Sequence, residues 1–348
     1  MDIRLSQCIK VFISSCGTGE SFYGRELRRM AGLCTSFQSV FVDRPEDADL
    51  ILVVDMDEAD VFANLRRNQV WRRFPEKSFG IYEGDNPPRF LHGLYSSVRR
   101  SWMRTGRFQS CAYPMHQICF PNQVPAVSTV SVPAKDLLFF YAGRLSHPVR
   151  KRLMKLRFPE SNVVMQDTST YNHFQTDEIN QQATKARYWQ LAQRSKFGLC
   201  PRGAGTSSVR LFELMEAGIS PVIIADDWIP PIGPKWEEFA LFVPEIQIAS
   251  LYEIVRQHEN EWIERGYKAR QAYETWFAPQ VYWRFLIQSI QGIQKHQRVP
   301  ETIYARMLPW MTLSERTRQA RIRSVLWMKG MARKVLKKQN SRGDTKLL

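Results

Sequence analysis

The sequence predicts an α/β protein of two Rossmann-like halves. Three observations predict it: apolar runs that are continuous rather than alternating, glycine-bearing turns that lead two of those runs into helical stretches, and a proline-rich segment after which the pattern restarts. Continuous apolar runs belong to parallel strands covered on both faces, and alternating strands and helices build such sheets. With 348 residues, 44% of them hydrophobic, the chain can bury a core in each half.

The first strand is Ile9 to Ile13, and Gly17-Thr18-Gly19 turns it into a helix from Ser21 to about Gly32. A second buried strand follows at Asp49 to Val54. A third, Phe79 to Tyr82, ends in the polar loop Glu83-Gly84-Asp85-Asn86-Pro87-Pro88. Residues Pro121 to Pro133 carry Pro121, Pro125 and Pro133 among small and polar residues, which marks a linker. The expected division is a first domain over 1–130, a second over 131–300 and a basic helical tail over 301–348. The second half restarts with a strand at Leu137 to Tyr141, then Gly143-Arg144, a basic helix from about Pro148 to Arg157, a strand at Asn162 to Met165 and a helix near Ala183 to Ser195.

The next segment carries most of the chemistry. Phe197 to Cys200 reads as a buried strand, Pro201 to Thr206 as a glycine-containing loop, then comes a helix ending before Gly218, then the strand Pro221 to Ile224. This βαβ unit places a helix N-terminus at the carboxyl edge of the sheet, where such folds bind ligands and backbone N–H groups favour a phosphate. Arg210 and Glu213, three apart on that helix, share a face. A guanidinium can hold a diphosphate bidentately and a carboxylate can accept from two ribose hydroxyls. On spacing alone, an ordinary surface ion pair is the favoured reading.

Charge and cysteines narrow the class. The formal net charge is +15, compatible with nucleic acid, an anionic membrane surface or a nucleotide substrate. From Ser314 to Leu348 eleven Lys or Arg face only Glu315 and Asp344, so about +9 of the charge lies in the tail. The basic residues interleave with no nucleic-acid motif, so no nucleic-acid partner is expected. Gly17-Thr18-Gly19 lacks the third glycine of a dinucleotide fingerprint, against an oxidoreductase. The six cysteines form no CxxC pair, which argues against zinc and a disulfide framework. With no apolar run at the start, and Met1 as the natural start, a cytoplasmic protein is expected.

The segments Ser195 to Gly203, Ser208 to Glu213 and Gly218 to Ile224 together resemble the exostosin-type glycosyltransferase signature. Phe140 to Arg144, His147 to Arg150 and Pro45 to Val53 support the resemblance, which runs from about Phe41 to Val255. It implies two facing Rossmann-like domains, the GT-B arrangement, with a nucleotide-sugar donor in the second and the acceptor approaching from the first. It implies inverting sugar transfer in polysaccharide synthesis, with no cofactor and a UDP- or GDP-linked donor as substrate. By residue match Arg210 would hold the diphosphate and Glu213 the ribose. Arg202, Gly203, Gly205, Thr206, Ser207 and Ser208 would cradle phosphate oxygens, and Arg144 and Arg150 would add cations. The alternatives are a non-catalytic, carbohydrate-binding relative or a nucleic-acid-binding protein. Two positions depart from the family pattern: Gly198 stands where a cysteine or larger residue is usual, and Met215-Glu216 interrupts a run of small residues.

Inverting transfer needs a base for the acceptor hydroxyl, and Asp85 and Glu83 follow a first-half strand at its carboxyl end. Ordinary turn chemistry explains the same loop, and Glu20 and Asp57 compete. Asp55-Met56-Asp57 and Asp226-Asp227 are not read as metal sites, because paired carboxylates alone bind divalent ions weakly. No histidine is assigned a role, and Trp189, Trp228 and Trp236 are assigned to core packing. In the tail, Ile322, Val325, Leu326, Ala332 and Leu336 share a helical face with cations largely opposite, an amphipathic pattern suited to the anionic inner face of a membrane and a lipid-linked acceptor, or to a solvated basic tail.

Overall fold

The structure is a computed structural model that describes residues 8–17, 21–56, 65, 67–115, 135–170 and 178–307. The linker at Pro121 to Pro133, Glu20, Asp57 and residues 308–348, with the amphipathic pattern, lie outside the described residues. Met1–Val299 form one compact unit and Pro300–Leu348 a second.

In the first half, β1 (Ile9–Ser15), β2 (Ser39–Phe41), β3 (Leu50–Val54), β4 (Ser78–Tyr82), β5 (Gly93–Tyr95) and β6 (Phe108–Ser110) form a parallel sheet in the order β2-β1-β3-β4-β5-β6. Every residue of β3 and β4 is buried, which is why they read as unbroken apolar runs. Helix α1 (Phe22–Leu33) starts where the Ser21 hydroxyl accepts from the Gly24 N–H, and buries Leu27 and Met30. α2 (Gln69–Arg73) is capped likewise by Asn68. β2, β5 and β6 have three residues each, too few for any periodic signal.

The second half repeats the plan. β7 (Leu137–Gly143), β8 (Val163–Asp167), β9 (Ser195–Pro201), β10 (Ser220–Ile224) and β11 (Leu241–Phe242) form a parallel sheet in the order β11-β10-β9-β7-β8. Its helices are α3 (Pro148–Leu153), α4 (Glu178–Arg194), α5 (Val209–Glu216), α6 (Leu251–Gln257) and α7 (Trp262–Trp276). In each sheet the first strand lies between the second and third, so the chain winds away from it in both directions. The crevice between the carboxyl ends of β7 and β9 is therefore a topological switch point, the place where open α/β sheets bind ligands. Two Rossmann-like α/β halves are thus present.

Two segments differ from the sequence expectation. α3 stops at Leu153 instead of Arg157, its end tightened by i→i+3 bonds from Lys155 to Arg152 and Leu156 to Leu153 ahead of Pro159. The segment assigned to a second domain over 131–300 does not stay with the second sheet: α8 (Pro279–His296) returns to pack on α1 and under β5 and β6. Its Trp283 indole donates to Ser39 Oγ (3.0 Å) and stacks near Phe41, while Tyr282, Leu286, Ile290 and Ile293 complete the core.

The two halves share that core, which runs from Val11 and Leu52 through Tyr113 and Phe212 to Trp236 and Phe277. Residues 96–100 of the first half form a strap against the second. The Arg100 N–H donates to Asp227 O (2.8 Å), the Trp228 indole to Ser96 O (3.2 Å) and Thr206 Oγ1 to Val98 O (3.2 Å).

Candidate functional site

The β9–α5 loop sits at the second switch point. β9 is fully paired between β7 and β10, so Pro201 leaves the sheet at a fixed place, and the Arg202 N–H donates to Ile224 O (3.0 Å). The loop is clamped from α3 by Arg150, which is buried. Its Nε and Nη2 donate to Pro201 O (3.2 and 2.9 Å), Nε also to Arg202 O (2.9 Å), and Nη1 to Arg144 O (3.0 Å) and Ser146 Oγ (3.3 Å). Most of its donors are thus spent on backbone, and it holds the loop and the β7–α3 turn together. Arg144 is exposed at the rim.

Arg210, on the first turn of α5, is not a solvated surface ion pair. Its Cζ lies 5.7 Å from the Tyr141 ring centre and 5.6 Å from that of Tyr188, and its Nε has no hydrogen-bond partner. Burial works against its charge, but Tyr188, Tyr141, Glu213 and Cys200 outweigh it, so the guanidinium is held charged. Glu213, one turn on, is buried beside it. The same burial pushes the Cys200 thiol up to about 12.

Several cations gather here. His147, which caps α3 by accepting from the Val149 N–H, is held below its ordinary pKa by burial and then by Arg202, Arg150 and Arg152. Arg202 Nε and Ser207 Oγ are buried without a hydrogen-bond partner, and Ser208 at the α5 N-cap makes no side-chain cap bond. Buried donors left unpaired cost roughly 1–3 kcal/mol each, so this rim is incomplete by itself. Cations, unpaired donors and a helix N-terminus in one crevice suit an anion such as a diphosphate.

Across the crevice lies the first-half loop. A Cβ placed on Gly205 would stand 2.3 Å from Ser97 Oγ, 2.6 Å from Asp85 Oδ1 and 3.1 Å from Asp85 Cα. Asp85 is therefore set directly against the β9–α5 loop, close enough for its charge to act on Arg150 and Tyr113. Glu83, two residues earlier, turns the other way: its carboxylate accepts from the Met115 N–H (3.0 Å) and its charge acts on Cys111 and Tyr282 inside the first half. The structure thus separates the two first-half carboxylates that the sequence placed together. Asp55 is engaged by the Ser15 and Ser21 hydroxyls and the Tyr23 N–H, and Asp226 by the Glu245 N–H. Among the described residues, no cluster of His, Cys, Asp or Glu is suited to a metal ion.

The exostosin GT47 domain family matches residues 100–258. Exostosin-1 of Drosophila melanogaster is 29% identical over 243 residues, covering 64% of this chain and 30% of that protein. Exostosin-2 of Homo sapiens is 32% identical over 221 residues, covering 60% and 29%. A probable beta-1,4-xylosyltransferase of Arabidopsis thaliana, IRX10, is 40% identical over 80 residues, covering 22% and 19%. The chain spans less than a third of the length of these relatives. A solved structure of WaaG, a glycosyltransferase involved in lipopolysaccharide biosynthesis, aligns with a TM-score of 0.33 and 12% identity, over 84% of this chain and 100% of that one.

The matched residues contain the β9–α5 loop, Arg144, Arg150, Arg210 and Glu213, while Asp85 and Glu83 lie before them. The chain's departures from the family pattern have local reasons. The space a side chain at Gly198 would take is filled by Leu214, whose Cδ1 stands 2.4 Å from the would-be Cβ. Met215 is buried, and Glu216 is held beside Arg270 and Tyr273 of α7. Sequence reasoning missed Ser97, Tyr113 and Tyr188. Ser97 reaches the β9–α5 loop from the strap, Tyr113 lies against Phe212 of α5 with ring centres 5.9 Å apart, and Tyr188 lies on a helix of weak amphipathicity. Burial drives the Tyr113 phenol up to about 12, partly opposed by the Ser96, Ser207 and Ser97 hydroxyls. Ser97 Oγ and Ser207 Oγ are near it without a well-aligned hydrogen bond.

Proposed function

We propose that this chain transfers a sugar, with inversion and without a metal ion, from a UDP- or GDP-linked donor to a glycan or glycolipid acceptor in polysaccharide synthesis. The observation that carries this reading is the switch-point crevice between β7 and β9, where the α5 N-terminus, Arg210 and the unpaired Arg202 Nε and Ser207 Oγ converge. The diphosphate binds there, with Glu213 taking the ribose hydroxyls and Arg144 closing over the outer phosphate. As the bond from the sugar C1 to the diphosphate oxygen breaks, the charge left on the nucleoside diphosphate is stabilised by the helix amides and the two arginines, which replace a divalent ion. The acceptor oxygen attacks C1 from the opposite face and its proton passes to Asp85.

Thermal shift with a panel of nucleoside diphosphates tests the donor site: a ligand at one hundred times its Kd adds about 2.7 kcal/mol of stability. Arg210→Ala and Glu213→Ala each weaken that binding by at least roughly tenfold, the value of a charge-assisted hydrogen bond. Asp85→Asn abolishes transfer and leaves diphosphate binding in place. A wild-type protein that no nucleoside diphosphate stabilises overturns the reading.

We also propose a cytoplasmic protein that rests on the inner membrane face through residues 314–348, each cation adding about 1 kcal/mol near an anionic surface. No helix of the described residues is long and apolar enough to cross a membrane. Removing 314–348 then ends sedimentation with anionic vesicles while sparing diphosphate binding. An intact chain that ignores such vesicles contradicts this placement.

A further inference from the structure

Among the described residues, the buried guanidinium groups of Arg107 and Arg150 spend their donors on oxygen atoms. Arg107 donates to the Arg89 and Phe90 carbonyls (3.0 Å each), and Arg150 to those of Pro201, Arg202 and Arg144. Arg210 is held differently, between the rings of Tyr141 and Tyr188, with Nη1 3.0 Å from the place a Cβ would occupy on Gly143. Both rings are themselves fixed. The Tyr141 hydroxyl donates to Arg144 O (3.2 Å), and Tyr188 packs edge-on against Phe140 and Trp189, with ring centres 5.5 and 5.0 Å away. The Tyr188 hydroxyl is buried and the Arg210 charge acts on its phenol, so ring and hydroxyl both lie beside the guanidinium.

We propose that Tyr141 and Tyr188 are positioning residues, a two-ring clamp that aims the Arg210 guanidinium at the donor diphosphate. The inference rests on the donor-site reading and says how the cation of that site is aimed. The physical reason lies in the shape of the group. A guanidinium is planar, with all its N–H donors in the plane, so aromatic faces attract its charge without consuming a donor. A carboxylate in the same place would accept from those donors and cancel the charge an incoming anion needs. Gly143 belongs to the device, because a Cβ there would press on the Tyr141 hydroxyl at 2.7 Å and on Nη1 at 3.0 Å.

The test is a double-mutant cycle on the full chain, read as calorimetric affinity for the nucleoside diphosphate that stabilises the wild type most. Tyr188→Phe keeps the ring face and stays within about twofold of wild type, whereas Tyr188→Leu loses roughly tenfold. Tyr188→Leu combined with Arg210→Ala binds no more weakly than Arg210→Ala alone, because the ring acts only through the arginine. Additive losses, which a merely structural tyrosine gives, overturn the proposal. So does a Tyr188→Leu protein that binds like wild type, or a Tyr188→Phe protein as weak as Tyr188→Leu. A different failure, in which Arg210→Ala itself binds like wild type, overturns the donor-site reading as well and is recognised from the single variant.

Discussion

Gly205 is where the two halves meet through bare backbone. No side chain fits there, since a Cβ would press on Ser97 Oγ, Asp85 Oδ1 and the Asp85 backbone at 2.3, 2.6 and 3.1 Å. Ser97 can rotate, but the Asp85 Cα can retreat only if the loop moves. Gly205→Ala therefore lowers the melting temperature, by an amount corresponding to about 1–3 kcal/mol of overpacking, and weakens diphosphate binding as the loop shifts. Melting curves with and without a nucleoside diphosphate check both effects, and an unchanged melting temperature contradicts the packing account. Arg210 carries a related lesson. Its spacing from Glu213 favoured a surface ion pair over a ligand-binding pair, and its place between two rings argues against the surface pair.

At the scale of elements, α5 lies over β9 and β10 with Leu214 filling the space above Gly198. Gly198→Cys, which restores the residue usual in the family, drives its side chain into Leu214 and destabilises the protein. Leu214→Ala alone costs about 2–5 kcal/mol as a cavity. The pair together costs less than the sum, because each change relieves the other, and chemical denaturation of the three variants measures the coupling. Lys135, at the foot of β7, makes a second test. Its Nζ donates to Ser195 O (2.7 Å) and lies 5.2 Å from the Trp262 ring centre, and burial lowers its pKa from 10.5 to about 8. The folded chain then releases this proton near pH 8 while the unfolded chain keeps it to about pH 10.5, so this residue's contribution to stability rises with pH across that window. Compared with Lys135→Met, the wild type gains stability between pH 8 and 10.5, and parallel melting profiles for the two proteins contradict this.

For the whole molecule, the shared apolar core and the strap at 96–100 make the two halves of Met1–Val299 one body. Its thermal unfolding is a single calorimetric transition that a bound nucleoside diphosphate moves as a unit. Two separated transitions, only one of them ligand-sensitive, contradict a joint core. The sequence had suggested two domains meeting across a linker, and α8 shows what that picture lacked. A helix whose apolar face is plain in the sequence does not say which sheet it will cover, and Pro279–His296 covers the earlier one.

By itself the sequence determined the α/β class, the strands β1, β3, β4, β7, β9 and β10, and the loop and helix that carry Arg202 to Glu213. Those features are local: parallel strands buried on both faces must be apolar throughout, and a helix start needs its cap and turn residues in order. Only the tertiary structure decided that Asp85 faces the β9–α5 loop while Glu83 faces inward, that Arg150 clamps backbone, and that Tyr188 reaches Arg210 from α4. These depend on strand order, on the shared core and on which side a loop residue turns. Such relations join residues 22 to 120 positions apart, and no periodicity along the chain encodes them.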